Sequence, residues 1–432
     1  MIRPPSYAYR RVPSAASRRG AAELCCDAVP LTRLAEKYGT PLYIYSATMI
    51  RARLHAFAAA FRGVPHTLCY AMKANPALAI LRLVAREGHG FDVVSAGELE
   101  RIRRVSPRAL RSVVFSGVGK ARHEMELALR SGILLFNIES ASELDALGAE
   151  AARLGCTARV AVRVNPDLPA KTHPYISTGL HRHKFGVPIP EAEKLYAFAA
   201  KHQSLHVAGV SVHIGSQIAD AGSFAAALER VAALVGTLRE QGHAIRYVDA
   251  GGGLAIPYEE VGVDLDFRKQ IAAYARAVTR PLRGLDVHLL LEPGRSIVGP
   301  AGVLLTRVIY RKMNNGKRFL IVDAAMNDLL RPALYGAHHE IAPVVRSWAP
   351  HETTDVVGPV CETGDFLARN RSLPVVPEGG LLAVLDTGAY SASQGSNYNT
   401  RGKPAEILVD GKTARCIRRR ESAADQMRLE AV

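Results

Sequence analysis

One pattern dominates the sequence between residues 67 and 295: short apolar runs recur, and segments with apolar residues at helical spacing separate most of them. Eight runs of the β type occur there, with intervening segments such as PALAILRLVAREG and SFAAALERVAALVGTLREQG. Apolar strands that alternate with amphipathic helices are typical of a parallel sheet covered by helices. Eight such units favour a closed (β/α)8 barrel, the TIM barrel, over an open sheet.

Nearly every one of these apolar runs ends in a polar or glycine-rich group. Barrel enzymes gather their reactive groups at the C-terminal ends of the strands. Any one polar residue at a strand end means little, but eight in the same position predict a common site. In chain order they are Lys73, Asp92, Ser116, Asn137, Arg163, His213, Gly251 to Gly253, and Glu292 to Arg295.

The pattern changes after residue 300, where hairpin signals replace the strand–helix alternation. Two strands are predicted to join at Asn315-Gly316, and two more to turn at Asp410-Gly411. We therefore expect an α/β protein of two domains. Residues 39–300 form the barrel, and residues 301–432 form a mostly β domain, sandwich-like or barrel-like, which residues 1–38 complete.

Cysteine usage and hydropathy bound the class of protein. The six cysteines of the 432-residue chain show no CxxC pairing and no metal-ligand spacing, as in proteins of a reducing cytoplasm. No uninterrupted apolar run reaches the roughly 18 residues of a membrane span. We expect a cytoplasmic protein without a metal site, and a zinc site at His181 and His183 is disfavoured, although we assign those histidines no other role.

The chain is strongly basic, with a formal net charge of +15. Such a charge is compatible with nucleic-acid binding, but no binding motif accompanies it, and a solvated basic surface that attracts an acidic substrate is favoured. The first 20 residues, MIRPPSYAYRRVPSAASRRG, contain no acidic residue. Their composition fits an organelle transit peptide or a mobile basic tail, of which the tail is favoured.

Two glycine-bearing loops follow the last two barrel strands. Gly251 to Gly253 allow the backbone to approach an anion with its N–H groups, and the next loop reads EPGR. Loops in these positions commonly bind phosphate in a TIM barrel. A phosphate site together with a lone lysine, Lys73, at the first strand predicts pyridoxal phosphate, whose aldehyde needs an amine. Glu292 could pair with the ring nitrogen, and His213 could stack on the ring.

A family resemblance extends over about residues 23 to 430. The motifs YAMKANP, FDVVSAGE, HIGSQ, DAGGG and EPGRSIVGPAG resemble those of the fold-type III pyridoxal-phosphate decarboxylases. The motifs RPALYGAHHE and GPVCETGD resemble the diaminopimelate decarboxylase branch of that family. In this branch serine is common where this chain has Thr363, which keeps the hydroxyl and adds a methyl. The loop KTHPYISTGLHRHKFG resembles the family's lid-like segment.

The resemblance implies a set of residues around the cofactor. Lys73 would form the Schiff base, His213 would stack on the ring, and Glu292 would pair with the pyridine nitrogen. The remaining cofactor-binding residues, most of them around the phosphate, would be Asp92, Ser216, Gly251, Gly252, Gly253, Gly294, Arg295 and Tyr390.

The resemblance also implies how the substrate is held. Arg295, Arg331 and Tyr335, with Tyr390 nearby, would bind its distal end. Cys361 and Glu362 would come from the partner subunit of a homodimer, Glu362 to meet the distal ammonium and Cys361 as a catalytic proton donor. The expected reaction is decarboxylation of meso-2,6-diaminopimelate to L-lysine and carbon dioxide, the last step of lysine synthesis.

Other functions stay open on the sequence. The chain could be a decarboxylase for ornithine, arginine or a carrier-bound amino acid, although the arginine and tyrosine of RPALYG argue for a substrate with a distal carboxylate. It could also be a non-catalytic barrel protein that binds pyridoxal phosphate and has a regulatory role. Membrane and nucleic-acid partners are not expected.

Overall fold

The computed structural model describes residues 7–14, 17–167, 184–258 and 266–431. The chain divides into two compact units. One consists of Arg53–Ile256 and Leu265–Ser296, and the other of Met1–Ala52, Pro257–Asp264 and Ile297–Val432.

The first unit is a closed barrel of eight parallel strands. Each strand pairs with the next one along the chain, and the last, His288–Leu291, pairs with the first, His66–Ala71. The predicted (β/α)8 barrel is therefore confirmed. The other six strands are Gly90–Val93, Val113–Phe115, Leu135–Ile138, Ala158–Asn165, Leu205–Val212 and Tyr247–Asp249.

In the described part of the chain, seven α-helices lie between successive barrel strands. Two of them begin at serines that the sequence places before a glutamate: Ser95 accepts the N–H of Glu98, and Ser140 accepts the N–H of Glu143. The helices are Leu78–Arg86, Ala96–Val105, Arg122–Arg130, Ala141–Arg153, Ile189–Lys201, Ala221–Glu240 and Phe267–Thr279, and helix Ala47–Ala60 precedes the first strand.

Helix Ala221–Glu240 is long and apolar enough to span a membrane by length and composition. Its buried residues include Phe224, whose ring meets the edge of Tyr274 at a centroid distance of 4.8 Å. Tyr274 lies on helix Phe267–Thr279, the next helix of the barrel. The apolar side of this long helix is thus used in packing the outer layer of the barrel.

The second unit is built on a mixed sheet in which strand Leu42–Ser46 lies between strands from the C-terminal third. Leu42–Ser46 pairs antiparallel with Gly302–Asn314 and parallel with Ala405–Asp410. The sheet order is Phe366–Pro374, His351–Val357, Lys317–Val322, Gly302–Asn314, Leu42–Ser46, Ala405–Asp410, Thr413–Arg418. Strand Leu381–Val384 also pairs with Gly302–Asn314, and Ile341–Pro343 pairs with Leu381–Val384. Helices Leu31–Tyr38, Arg331–Tyr335, and Ala423–Met427 complete the unit.

The division between the units differs from the expected boundary at residue 39. Strand Leu42–Ser46 hydrogen-bonds to strands of the β-rich unit, so the division falls at Arg53, inside helix Ala47–Ala60. The hairpin at Asn315-Gly316 forms as expected. The second hairpin turns one residue later than expected, at Gly411 and Lys412, because Asp410 still pairs with Thr413.

The expectation of a mobile basic tail at the N-terminus is wrong for its described part. Strand Tyr7–Ser14 pairs antiparallel with Ser17–Cys26. Tyr7 is buried, and its hydroxyl lies 2.9 Å from the carbonyl oxygen of Ile44 and 2.8 Å from that of Ala301. A buried tyrosine that donates to backbone carbonyls ties the segment to the core of the β-rich unit.

We expect Tyr7→Phe to lower the free energy of unfolding by about 1–2 kcal/mol, because the carbonyl oxygens of Ile44 and Ala301 lose the buried hydroxyl proton that they share. The measurement is the urea midpoint, with Tyr310→Phe as the control, since Tyr310 is exposed. An unchanged midpoint for Tyr7→Phe would show that the hydrogen bonds of this hydroxyl do not stabilise the unit.

Candidate active site

Lys73 follows the first barrel strand in a short 3-10 turn, Met72–Ala74. Its Nζ lies 2.5 Å from Oδ2 of Asp92, which ends the second strand. The Lys73 side chain is 37% exposed, whereas that of Asp92 is completely buried. A lysine held by a buried carboxylate is not an incidental surface residue, because burying Asp92 is tolerable only with a paired charge or hydrogen bonds.

Four side chains at the ends of the third, fourth, seventh and eighth barrel strands form a directed hydrogen-bond network. Asn137 Nδ2 donates to Asp249 Oδ2 at 2.7 Å and to Ser116 Oγ at 3.1 Å. Ser116 in turn donates to Glu292 Oε1 at 3.2 Å, and the Gly251 N–H donates to Asp249 Oδ1 at 2.9 Å. Both oxygens of Asp249 thus accept N–H groups, and a further hydrogen bond joins Asp249 to Glu292.

The network determines which acid keeps its proton. Burial raises the pKa of Glu292 well above its ordinary value, and the charges of Asp249 and Asp92 act in the same direction. Burial also raises the pKa of Asp249, but the bonds from Asn137 and Gly251 favour its charged form. Glu292 is therefore the protonated partner of the pair.

His213 is a neutral ring with a fixed tautomer. The Gly252 N–H lies 3.2 Å from its Nδ1, so this nitrogen is an acceptor and the proton is on Nε2. Burial lowers the pKa of His213 well below its ordinary value, and the cations Arg163 and Lys73 lower it further. The ring presents a flat, uncharged surface at the end of the sixth strand.

The glycine triplet is required by close backbone packing. A Cβ on Gly252 would lie 2.1 Å from the carbonyl oxygen of Glu292, and one on Gly253 would lie 2.2 Å from that of Gly215. The N–H groups of Gly251 and Gly252 donate to Asp249 and His213. Two of the three amides thus support side chains of the site, and contact of the triplet with a phosphate stays a prediction.

Arg295 and Ser216 form a compact polar pair beside this triplet. Arg295 is buried, and its Nη2 donates to Ser216 Oγ at 2.9 Å. The backbone at Gly294 is closely packed: a Cβ there would lie 3.0 Å from that of Ala74, next to Lys73, so a side chain would require its neighbours to shift. A guanidinium and a hydroxyl close to the lysine suit an anionic group such as a phosphate.

The barrel end therefore fits pyridoxal phosphate on its own geometry. The amine of Lys73, the proton-bearing Glu292, the flat ring of His213 and the Arg295–Ser216 pair supply the groups that its aldehyde, ring nitrogen, ring face and phosphate require. In addition, Oδ1 of Asp92 is buried and has no hydrogen-bond partner among the described residues. A buried acceptor of this kind beside Lys73 is typical of a ligand site.

The remaining predicted residues, Arg331, Tyr335, Cys361, Glu362 and Tyr390, belong to the β-rich unit. Arg331 is buried, and its Nη1 lies 2.9 Å from Nε2 of His339, whose Nδ1 donates to the Leu385 carbonyl oxygen.

The guanidinium carbon of Arg331 also lies 4.4 Å from the centre of the Tyr258 ring. A neutral imidazole and an aromatic face thus hold the buried guanidinium in place.

The other residues of this group differ in exposure. Tyr335 is half-buried and accepts a weak hydrogen bond from Gln394, whereas Cys361 and Glu362 are exposed on a short loop. Tyr390 has a positive φ of 53°, which is uncommon for a residue with a Cβ and marks a constrained position.

Several residues of the site escaped sequence reasoning. Ser116 and Asn137 were recognised only as strand-end residues, and Asp249 was not singled out, although it directly precedes the glycine triplet. Tyr258 carries no sequence signal that connects it with Arg331, whereas His339 lies in the same motif, RPALYGAHHE, which could have pointed to it. His181 and His183 lie outside the described residues, and within the described part no group of three or more His, Cys, Asp or Glu is arranged for a metal ion.

Comparison with known proteins agrees with this geometry. Residues 47–299 match the family model described as pyridoxal-dependent decarboxylase, pyridoxal binding domain. The diaminopimelate decarboxylase of Pseudomonas aeruginosa is 50% identical over 94% of this chain and 96% of its own length. That of Neisseria meningitidis serogroup B is 46% identical over 94% of this chain and 97% of its own.

Solved structures give the same result. The diaminopimelate decarboxylase of Helicobacter pylori complexed with L-lysine superposes with a TM-score of 0.88 at 41% identity, covering 93% of this chain and 99% of the other. The enzyme of M. jannaschii in complex with L-lysine gives 0.88 at 37% identity, covering 95% and 96%. With its barrel site and near-complete coverage, this chain belongs to the diaminopimelate decarboxylase family of pyridoxal-dependent decarboxylases.

Proposed function

We propose that this chain decarboxylates meso-2,6-diaminopimelate to L-lysine and carbon dioxide, acting on the D-configured end. The observation that carries the proposal is the barrel site, in which Lys73 is paired with the buried Asp92 beside the proton-bearing Glu292. Relatives named diaminopimelate decarboxylase are 46% and 50% identical to this chain over 94% of its length, which supports the assignment of the substrate.

Each residue at the barrel end has a separate role toward the cofactor. Bound pyridoxal phosphate supplies an aldehyde that joins amines and a ring that takes up the electrons released as carbon dioxide leaves. Lys73 would hold the aldehyde carbon, and Asp92 orients its amine. Glu292 would pair with the ring nitrogen, and the charge of Asp249 helps to keep the Glu292 carboxyl protonated.

Neutral and cationic side chains would orient the cofactor in the site. His213 would support one face of the ring, and Arg295 with Ser216, Gly253, Gly294 and Tyr390 would bind the phosphate. Because His213 is neutral, it adds no positive charge that would compete with Lys73.

Substrate choice is assigned to the β-rich unit. Arg331 and Tyr335 would hold the distal carboxylate, since a guanidinium held in place from two sides suits a planar carboxylate. Glu362 would meet the distal ammonium, and Cys361 would return a proton to the α-carbon. An ornithine or arginine substrate lacks the distal carboxylate that Arg331 requires.

We further propose a homodimer in which Cys361 and Glu362 complete the partner's site. Their exposure in the single chain supports this arrangement, because both side chains are open to a second copy. We also propose a cytoplasmic location, since all six cysteines are free thiols, which a reducing compartment maintains.

Replacement of Lys73 by alanine should abolish both lysine production and covalent attachment of the cofactor. Attachment is measured by mass spectrometry after borohydride reduction, which adds the cofactor's mass to the peptide that holds Lys73. Lys194→Ala is the control because Lys194 lies exposed on a barrel helix. Cofactor that stays attached in Lys73→Ala would refute the assignment.

Arg331→Lys should lower kcat/KM for meso-diaminopimelate on the order of a hundredfold, mainly through KM, because a lysine cannot bind a carboxylate with two parallel bonds. Arg369→Lys, at an exposed position, is the control. Carbon dioxide release from ornithine and arginine is measured in parallel. A wild-type preference for either of these would favour the alternative substrate class.

In cofactor-free protein, Glu292→Gln should remove part of the loss of stability on raising the pH from 5 to 8. The raised pKa means that the folded state binds this proton more tightly than the unfolded state, so stability falls as the pH rises toward the folded pKa. Glutamine mimics the neutral acid and does not titrate. Urea midpoints at both pH values measure the effect, with the exposed Glu362→Gln as control; parallel curves for wild type and Glu292→Gln would contradict it.

A further inference from the structure

We propose that Asp365 is a positioning residue that fastens the loop carrying Cys361 and Glu362 to the turn that leads into Arg331. The catalytic consequence rests on the proposed function, whereas the structural link does not. The loop comprises residues 360–365 and is called the Cys361 loop below; the turn comprises residues 324–328 and is called the 324–328 turn.

The carboxylate of Asp365 bridges these two segments. Its Oδ1 accepts the N–H of Met326 at 2.6 Å, and its Oδ2 accepts the N–H of Val360 at 2.7 Å. Asp365 is buried, with 4% of its surface exposed. A buried carboxylate whose two oxygens each accept a backbone N–H from a different segment holds both segments at fixed positions.

The residues around Asp365 are closely packed. A Cβ on Gly358 would lie 2.4 Å from Asp365 Oδ2 and 2.7 Å from the carbonyl oxygen of Ala324. Three stretches of chain therefore converge here at a spacing that only glycine permits at residue 358. The Asp365 carboxylate occupies the space that a side chain at residue 358 would need. Glycine at this position therefore lets the loop and the turn lie close together.

The Cys361 loop itself is short and internally closed. The Asp365 N–H donates to the carbonyl oxygen of Glu362 at 3.0 Å, and the Cys361 N–H donates to Oδ1 of Asn399 at 3.0 Å. Asp365 and Asn399 thus fix the loop at both ends while the side chains of Cys361 and Glu362 stay exposed. The loop backbone is thus held by hydrogen bonds while these two side chains point to solvent.

The 324–328 turn is equally well connected to the substrate-recognition segment. Asp328 Oδ2 accepts the N–H of Ala325 at 2.9 Å, and helix Arg331–Tyr335 begins three residues later. Asp365 therefore connects the two parts of the β-rich unit to which substrate recognition is assigned. If the Cys361 loop serves the partner's site and Arg331 serves its own, one carboxylate per chain couples the two sites of the dimer.

The test uses Asp365→Asn in the full-length protein with bound pyridoxal phosphate. Asparagine keeps the shape but turns one acceptor into a donor, so one of the two N–H groups loses its partner. We expect amide hydrogen exchange about tenfold faster in peptides covering both 358–366 and 324–331. Turnover of meso-diaminopimelate should fall about tenfold in kcat, while the bound cofactor is retained.

Asp355→Asn is the matched control. Asp355 is equally buried, accepts the N–H of Asn370 at 2.8 Å and pairs with Lys317, but it lies on strand His351–Val357. We expect this variant to lose stability and to leave kcat and exchange in both peptides as in wild type.

Unchanged exchange in Asp365→Asn, or faster exchange in only one of the two peptides, would overturn the link. Faster exchange in both peptides with normal kcat would confirm the link and overturn the catalytic consequence. A wild-type protein that fails to decarboxylate diaminopimelate would refute the proposed function, and the exchange data would still decide the link.

Discussion

The arrangement of charge at the barrel end is the constraint on which the site depends. Three carboxyl groups, Asp92, Asp249 and Glu292, are buried within one cluster of strand ends, and unpaired burial of such groups is costly. Lys73 neutralises the first, amide donors stabilise the second, and the third keeps its proton. The same groups that make the cluster tolerable are those that pyridoxal phosphate chemistry needs.

The backbone serves this charge arrangement. Gly252 is a glycine because the Glu292 carbonyl oxygen occupies the space of a side chain, and its N–H fixes the tautomer of His213. A substitution in the triplet would therefore displace the hydrogen bonds to Asp249 and His213 as well as any contact with a phosphate. This explains why a motif that looks like a phosphate loop also carries a structural role.

Sequence reasoning predicted the barrel, because alternation of strands and helices is a local pattern that survives in eight copies. It also singled out Lys73, Glu292 and Arg295, since strand ends and glycine loops mark them, and their roles toward the cofactor stay predictions. It missed Asp249 as a site residue, because a carboxylate before a glycine turn has an ordinary local explanation, and only the fold shows its donors. It placed the domain boundary too early, because pairing of Leu42–Ser46 with strands near the C-terminus leaves no local trace.

That strand order has a consequence for synthesis on the ribosome. The hydroxyl of Tyr45 donates to the carboxylate of Glu406, which lies 361 residues later, and the whole barrel is encoded between them. Strand Leu42–Ser46 emerges early, but its sheet partners, Gly302–Asn314 and Ala405–Asp410, are translated only after the whole barrel. The barrel can fold before these partners are available, so the apolar residues of Leu42–Ser46 stay without their sheet partners on the nascent chain, where an unpaired apolar strand promotes aggregation.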